Sequence, residues 1–290
     1  MSELLLQIDK TKLPKHIAII LDGNGRWAKN RLMPRTYGHL RGIETLGKLV
    51  KASKDLGIKN LTVYAFSTEN INRPISEVEF LMNEFLKFYK EKFRKLVNEK
   101  INVRVIGEAI NLSKEVVDAI KDINDVPFNY DYFTFTICFN YGSQQEITHA
   151  TKEISKLVKM GRINVNDIDE KLINSYLYTK DLEPLDLVIR TSGECRLSNF
   201  LLWQLSYAEL YFTDVYFPDF KEEELYKAII CFFFSSKVFH ILSTSQQGLY
   251  TIFTSSLPEL IFSTHLLKLL FISSTNLVLA ATIFSASAIN

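Results

Sequence analysis

Three cysteines in 290 residues, Cys138, Cys195 and Cys231, cannot build a disulfide framework, and none stands at metal-ligand spacing from another. The chain therefore reads as the occupant of a reducing compartment, with Cys138 and Cys195 as small packing residues rather than nucleophiles. An excess of one charge is also missing. Thirty-four basic and 33 acidic side chains leave a formal net charge of +1, which argues against a general binder of nucleic acid. The opening residues Met1 to Asp9 have no basic segment and meet acid at Glu3, so they do not read as a signal peptide, and a cytoplasmic location is expected. Neither the dinucleotide pattern GxGxxG nor the P-loop pattern GxxxxGK[ST] accounts for the glycine-bearing loop at 22–25, so nucleotide binding loses its support.

Charge is scarce in one region. Residues 229–290 hold only Lys237, Glu259 and Lys268 as charged side chains among 62, and no arginine follows Arg196. The chain is read in two parts: a body over 1–228 with the composition of a soluble protein and an atypical apolar, Ser/Thr-rich tail over 229–290. Within the tail, 269–288 is an uncharged run of 20 residues, long enough to span a bilayer but diluted by Ser, Thr and Asn. A disordered, aggregation-prone tail with peripheral membrane contact is favoured over a membrane helix.

Residues 1–228 contain no internal repeat and no Gly/Ser/Pro linker. Apolar runs at 16–21, 61–66, 103–106, 133–139 and 186–189 predict strands. Helices are predicted at 38–56 (closing at Gly57), 76–98, 113–122, 144–159, 167–178 and 222–230. In the second of these, Ser76 and Glu79 suit a capping box and Val78, Leu81, Phe85, Phe88 and Leu96 form the apolar stripe. Strands alternating with helices of this length predict an α/β fold with a single open, mostly parallel sheet flanked by helices.

Ligands of such sheets sit beyond the carboxyl ends of the strands. Those ends are Asp22, Ser67 to Asn70, Asn140 and Arg190, and cations follow closely: Arg26, Arg35, His39 and Arg41, then Arg73, then Arg190 and Arg196 with Ser198. Guanidiniums converging beside Gly23 and Gly25 describe a phosphate or diphosphate site. Asp22 among them is either a charge partner or a Mg²⁺ carboxylate, since Mg²⁺ takes one or two carboxylates plus phosphate oxygens. His16 and His149 read as ordinary residues.

The segment His16-Ile17-Ala18-Ile19-Ile20-Leu21-Asp22-Gly23-Asn24-Gly25-Arg26-Trp27-Ala28 resembles the opening motif of the cis-prenyltransferases, the undecaprenyl diphosphate synthase family. So do Tyr64 to Asn70 with Asn72-Arg73-Pro74, Asp186 to Glu194 with Arg196 to Gln204, and Tyr207 to Phe212 closing at Pro218-Asp219-Phe220. The resemblance covers about 14–228 in order and spacing. It implies a hydrophobic substrate tunnel and elongation of farnesyl diphosphate by isopentenyl diphosphate units with cis double bonds. It further implies an allylic diphosphate held by Gly23, Asn24, Gly25, Arg26, Trp27 and Arg35 with His39 nearby. Asp22 and Glu209 would be the Mg²⁺-linked carboxylates, and Arg190, Arg196, Leu197 and Ser198 the isopentenyl diphosphate site. Ser67, Thr68, Glu69, Asn70 and Arg73 would organise the reacting centre, with Asn70 assigned to proton removal. A homodimer is implied by the family alone.

Two departures stand out. Ile71 replaces the aromatic residue that the bacterial family carries after Asn70, and the arginine-rich ending Arg-Phe-Gly-Gly is absent after Ile229. The second supports an alternative reading, a catalytically impaired prenyl-diphosphate-binding subunit that needs a partner to supply those arginines.

Overall fold

Period-two alternation splits each strand between two apolar faces. In β1 (His16–Ile20), Ile17 and Ile19 enter one core cluster while Ala18 and Ile20 enter the other. The same division runs through β2 (Asn60–Ser67), where Leu61 and Val63 oppose Tyr64, and through β4 (Phe133–Tyr141), where Phe135, Ile137 and Phe139 oppose Cys138 and Tyr141. Burial on both faces is the mark of a parallel sheet covered by helices. The computed structural model describes residues 3–244, and for 235–244 only the helical backbone.

With β3 (Ile101–Ile106), β5 (Leu187–Arg190) and β6 (Glu209–Phe212), the strands form one sheet in the order β3-β4-β2-β1-β5-β6. Every pairing is parallel; Ile20 lies opposite Tyr64 on one side and Arg190 on the other. The chain therefore winds outward from β1 in both directions, and the crevice at the carboxyl ends of β1 and β5 is the topological switch point.

The helices are α1 (Glu3–Leu6), α2 (Asn24–Lys29), α3 (Arg35–Leu56), α4 (Ile75–Phe88), α5 (Arg94–Asn98), α6 (Lys114–Asn124), α7 (Ser143–Lys159), α8 (Glu170–Tyr176) and α9 (Glu222–Thr244). Gly57, at φ 97°, closes α3 in the left-handed conformation that a residue without Cβ adopts freely. The helix expected over 76–98 is two helices joined by a π turn at Tyr89–Phe93. Its expected capping box does not form: Pro74 occupies the N-cap, α4 starts at Ile75, and the acid of the first turn is Glu77. The strand β6 carries too little apolar alternation to be predicted; its burial is only partial because it lies at the sheet edge.

The break expected at residue 229 is not a break in the fold. Helix α9 runs through it, and Ala228, Ile229 and Phe233 are buried in the main core cluster. The chain divides into two units at Ser236/Lys237. The run at 269–288 lies outside the described residues. Among the described residues, no helix is long and apolar enough to cross a membrane.

Candidate active site

Asp22 follows β1 directly. Its Oδ1 accepts the Gly23 N–H at 2.8 Å and its Oδ2 accepts Arg190 Nη2 at 3.0 Å. Arg26 Nη2 lies 3.4 Å from Asp22 Oδ1, and its Nη1 lies 2.7 Å from Glu194. Gly23 has φ 102°, and a Cβ there would stand 2.8 Å from the Tyr216 ring and 2.9 Å from Ser192, so both backbone and space require glycine. The Arg35 guanidinium lies against Gly25, where a Cβ would come within 3.1 Å of it.

A second cluster gathers on Glu77, a residue that the sequence motifs do not single out. Its buried carboxylate lies 2.9 Å from Arg73 Nη1, 3.3 Å from Arg35 Nε and 3.2 Å from His39 Nε2. Burial works to raise the Glu77 carboxyl, but Arg73, Arg35 and His39 outweigh it and hold it below the usual carboxylate range. Burial pushes the His39 imidazole down against the pull of Glu77, so His39 is neutral near pH 7 and its Nε2–H donates to the carboxylate. The signal that could have found Glu77 is the step from Arg73, an i,i+4 pair across the start of α4.

The third cluster is the segment after β5. Arg190 is 3% exposed; it donates to the Arg196 carbonyl and, at 2.9 Å, to Ser198 Oγ. Its Nε is buried without a partner, as are Asn24 Oδ1, Thr68 Oγ1 and Ser192 Oγ. Arg196 itself is exposed and pairs with Glu194. Glu69 reaches the same segment through Asn199 Nδ2 at 3.2 Å. Ser67 and Asn70 close their own loop as a reciprocal cap, Asn70 Oδ1 accepting the Ser67 N–H at 3.2 Å.

Two cavities meet here. A polar one of about 570 Å³ is lined by Gly23, Gly25, Arg26, Lys29 and Arg35, among others. An apolar one of about 310 Å³ extends from Ser67, Asn70 and Ser198 down to Val50, Phe88, Leu96 and Phe135. Leu21, Asp22, Asn24, His39 and Arg73 line both, so the cationic mouth opens straight into an apolar channel.

Several expected residues stand elsewhere. Trp27 lines neither cavity; it is buried beside Tyr37, with the Arg31 guanidinium 4.1 Å from its ring centre. Arg41 is exposed and pairs with Glu44. Leu197, Thr68, Glu69, Arg190 and Arg196 line neither cavity; of the segment after β5 only Ser198 reaches the channel. Glu209 does not join Asp22 within the chain: it begins β6 opposite Leu187, whereas Asp22 lies beyond the far ends of the strands. Three strand steps, about 10 Å, and the turn after Ile20 separate those levels. Cys195 is exposed rather than packed, and Ile71 is half-buried against the main core.

The family model described as "Putative undecaprenyl diphosphate synthase" matches residues 20–240. The chain belongs to this family. The cis-prenyltransferase family architecture is the open parallel sheet described above, and the chain is a prenyl transferase of the di-trans,poly-cis-polyprenyl diphosphate synthase type. It is 50% identical to an isoprenyl transferase of Prochlorococcus marinus subsp. pastoris over 224 residues, 77% of this chain and 82% of the relative. It is 41% identical over 239 residues to a ditrans,polycis-undecaprenyl-diphosphate synthase of Vibrio parahaemolyticus, named as specific for (2E,6E)-farnesyl diphosphate; the match covers 82% of this chain and 95% of that one. Among solved structures it resembles lavandulyl diphosphate synthase from Lavandula x intermedia in complex with dimethylallyl diphosphate. The TM-score is 0.71 at 35% identity, over 76% of this chain and 95% of the plant protein.

Proposed function

We propose that this cis-prenyltransferase extends an allylic diphosphate, farnesyl diphosphate in the first instance, by successive isopentenyl diphosphate units to a long-chain polyprenyl diphosphate, a glycan carrier lipid precursor, with Mg²⁺ as cofactor. The observation that carries this reading is the continuity of the two cavities: a diphosphate fits the cationic mouth and a growing hydrocarbon fits the apolar channel.

The allylic diphosphate would lie along Gly23, Gly25, Arg26 and Arg35, and isopentenyl diphosphate against Arg190, Arg196 and Ser198. The allylic C–O bond breaks with its electron pair leaving on the diphosphate, and the allylic C1 bonds to the terminal carbon of isopentenyl diphosphate. A C2 proton is then lost, leaving the cis double bond. The guanidiniums oppose the charge that grows on the leaving oxygens. The unpartnered Arg190 Nε fits an anion at this place. Asn70 Oδ1 is engaged by the Ser67 N–H and an amide is not basic, so the proton goes to a diphosphate oxygen and Asn70 positions the loop. The channel walls exclude the water that would quench the cationic carbon.

Among the described residues, no three His, Cys, Asp or Glu side chains form a metal-holding group. The site fits a Mg²⁺ that keeps water and takes diphosphate oxygens, with Asp22 as its one carboxylate. When bound, the ion would neutralise charge on the leaving diphosphate.

The test is incubation of the full chain with farnesyl diphosphate, labelled isopentenyl diphosphate and Mg²⁺, counting label in the organic extract. Label with wild type, and none with Asp22→Ala or without metal, is expected. No label from folded wild type would overturn the reading in favour of an impaired subunit whose missing arginine ending comes from a partner.

A further inference from the structure

Eight non-glycine residues have positive φ among the described residues, and four fall between Ser192 and Leu201: Ser192 at 80°, Ser198 at 51°, Asn199 at 59° and Leu201 at 46°. Left-handed backbone is sterically costly for residues with a Cβ, so the segment holds this shape only if surrounding contacts impose it. Asn199 makes four of those contacts. Its carbonyl accepts the Ser143 N–H at 2.8 Å and its Oδ1 accepts the Gln144 N–H at 2.9 Å, both at the start of α7. Its Nδ2 donates to Gln145 Oε1 at 3.1 Å and to Glu69 Oε1 at 3.2 Å.

The crowding around this side chain is independent of those bonds. A Cβ at Gly142 would stand 2.6 Å from Asn199 Nδ2 and 2.9 Å from Thr68 Oγ1, so the loops after β2, β4 and β5 touch at one point. On either side of that point lie groups of the site. Glu69 sits next to Asn70 in the cap that lines the channel mouth, and Ser198 bonds Arg190, which bonds Asp22.

We propose that Asn199 is a positioning residue that ties the Ser67–Asn70 loop at the channel mouth to the Arg190–Leu201 segment, and so sets where isopentenyl diphosphate stands against that mouth. This rests on the reading given under Proposed function. Two reacting carbons must approach within bonding range, and a displacement of about 1 Å costs on the order of 100-fold in rate. A bridge that fixes the isopentenyl diphosphate segment against the channel mouth is therefore a control on the reaction rather than only on the fold.

The rival role is purely structural, a cap on α7 through Gln144, and Asn199→Asp separates the two. The substituted carboxylate keeps an acceptor for the Gln144 N–H but loses the donor to Glu69 and sets carboxylate against carboxylate. Isopentenyl diphosphate binding by calorimetry and kcat/KM are measured for wild type, Asn199→Asp, Glu69→Gln and the double variant, with thermal midpoints recorded. Asn199→Asp should weaken isopentenyl diphosphate at least about tenfold, the worth of one hydrogen bond to a charged group, and the midpoint should stay near wild type. Farnesyl diphosphate affinity should move less. Adding Glu69→Gln to Asn199→Asp puts a donor amide opposite the new carboxylate and should restore binding to within about threefold of wild type. Should Asn199→Asp fail to fold, Glu69→Ala, which leaves the α7 cap intact, should show the same selective loss. An Asn199→Asp variant that binds as wild type, a double variant whose losses simply add, or a Glu69→Ala without effect would overturn the proposal. A folded wild type that binds no isopentenyl diphosphate would overturn it together with the reading beneath it.

Discussion

Arg190, with a side chain 3% exposed, reaches across from the end of β5 to donate to Asp22 at the end of β1, at 3.0 Å. The pair bridges the two strands where the sheet reverses its winding, and it sets a carboxylate where three loops can present ligands to it. Asp22→Asn keeps the shape and removes the charge. Label incorporation should fall at least about 100-fold, because the residue offered to metal and leaving group is gone. A thermal melt should show a loss of about 1–3 kcal/mol, below the cost of a fully buried pair because Asp22 is 30% exposed. Activity within a few-fold of wild type would show that the carboxylate only pairs with Arg190.

Glu77 performs the corresponding task on the other side of the mouth, where its single negative charge holds Arg35, Arg73 and His39 together. Glu77→Gln leaves two guanidiniums facing each other without a counter-charge. The melting midpoint should drop by about 3–6 °C, for roughly 1–2 kcal/mol, and the KM for the allylic diphosphate should rise as the arginines lose their orientation. An unchanged midpoint would mean the cluster adds nothing to the fold.

Acid stability should carry the signature of a buried histidine. Burial pushes His16 down to about 4, while its ring bonds Thr62 Oγ1 and the Glu183 carbonyl, both at 2.8 Å. The unfolded chain protonates this ring near pH 6.5, so the unfolded state binds the extra proton first. The stabilisation is complete above pH 6.5 and is lost as pH falls toward 4, amounting to roughly 3 kcal/mol. The depressed Glu77 carboxyl extends the loss below the ordinary carboxylate value of 4.5. Melting midpoints across this range should fall less steeply in His16→Gln than in wild type, and parallel curves would exclude His16 as the cause.

Two glycines of α3 predict opposite outcomes. A Cβ at Gly38 would lie 2.0 Å from the Asn24 carbonyl oxygen, so Gly38→Ala must push α3 away from the first turn of α2, which carries Asn24 and Gly25. A Cβ at Gly47 meets nothing within 4 Å. Gly38→Ala should cost several kcal/mol and activity with it, whereas Gly47→Ala should gain about 0.5–1 kcal/mol. Equal melting midpoints for the two variants would contradict the close packing of α2 on α3.

The parallel sheet and the first and third motifs are legible in the sequence because the strands are continuous apolar runs and their cations follow at once along the chain. Arg26, Arg35 and Arg190 are placed at the strand ends by that order alone. Glu77 and Asn199 are not, because each is defined by what it meets: Arg35 is 42 residues away from Glu77, and Glu69 is 130 residues away from Asn199. The distance of Glu209 from Asp22 within the chain is hidden for the same reason. Its motif stands close in sequence to Arg196 and Ser198, but the chain returns to the opposite end of the sheet before β6 begins. Ser76 and Glu79 have the residue types of a capping box, yet the preceding Pro74 takes the N-cap and starts α4 a position earlier.

Sequence also does not say which face of β4 meets the channel, and the structure answers it. Phe135, Ile137 and Phe139 all line the cavity, and the Phe139 ring stacks on Phe85 with centroids 4.4 Å apart. Phe139 lies toward the carboxyl end, where the diphosphate sites are, and Phe135 lies four residues deeper, about 13 Å. A chain growing from the mouth meets Phe139 and Phe85 first and Phe135 near the floor. Phe135→Val therefore removes bulk at the end of the channel without touching the site, at a stability cost of about 1–3 kcal/mol. Its products, separated by chain length after hydrolysis, should shift toward polyprenols longer than those of wild type by at least one isoprene unit. An unchanged length distribution, with turnover retained, would show that product length is not limited at Phe135.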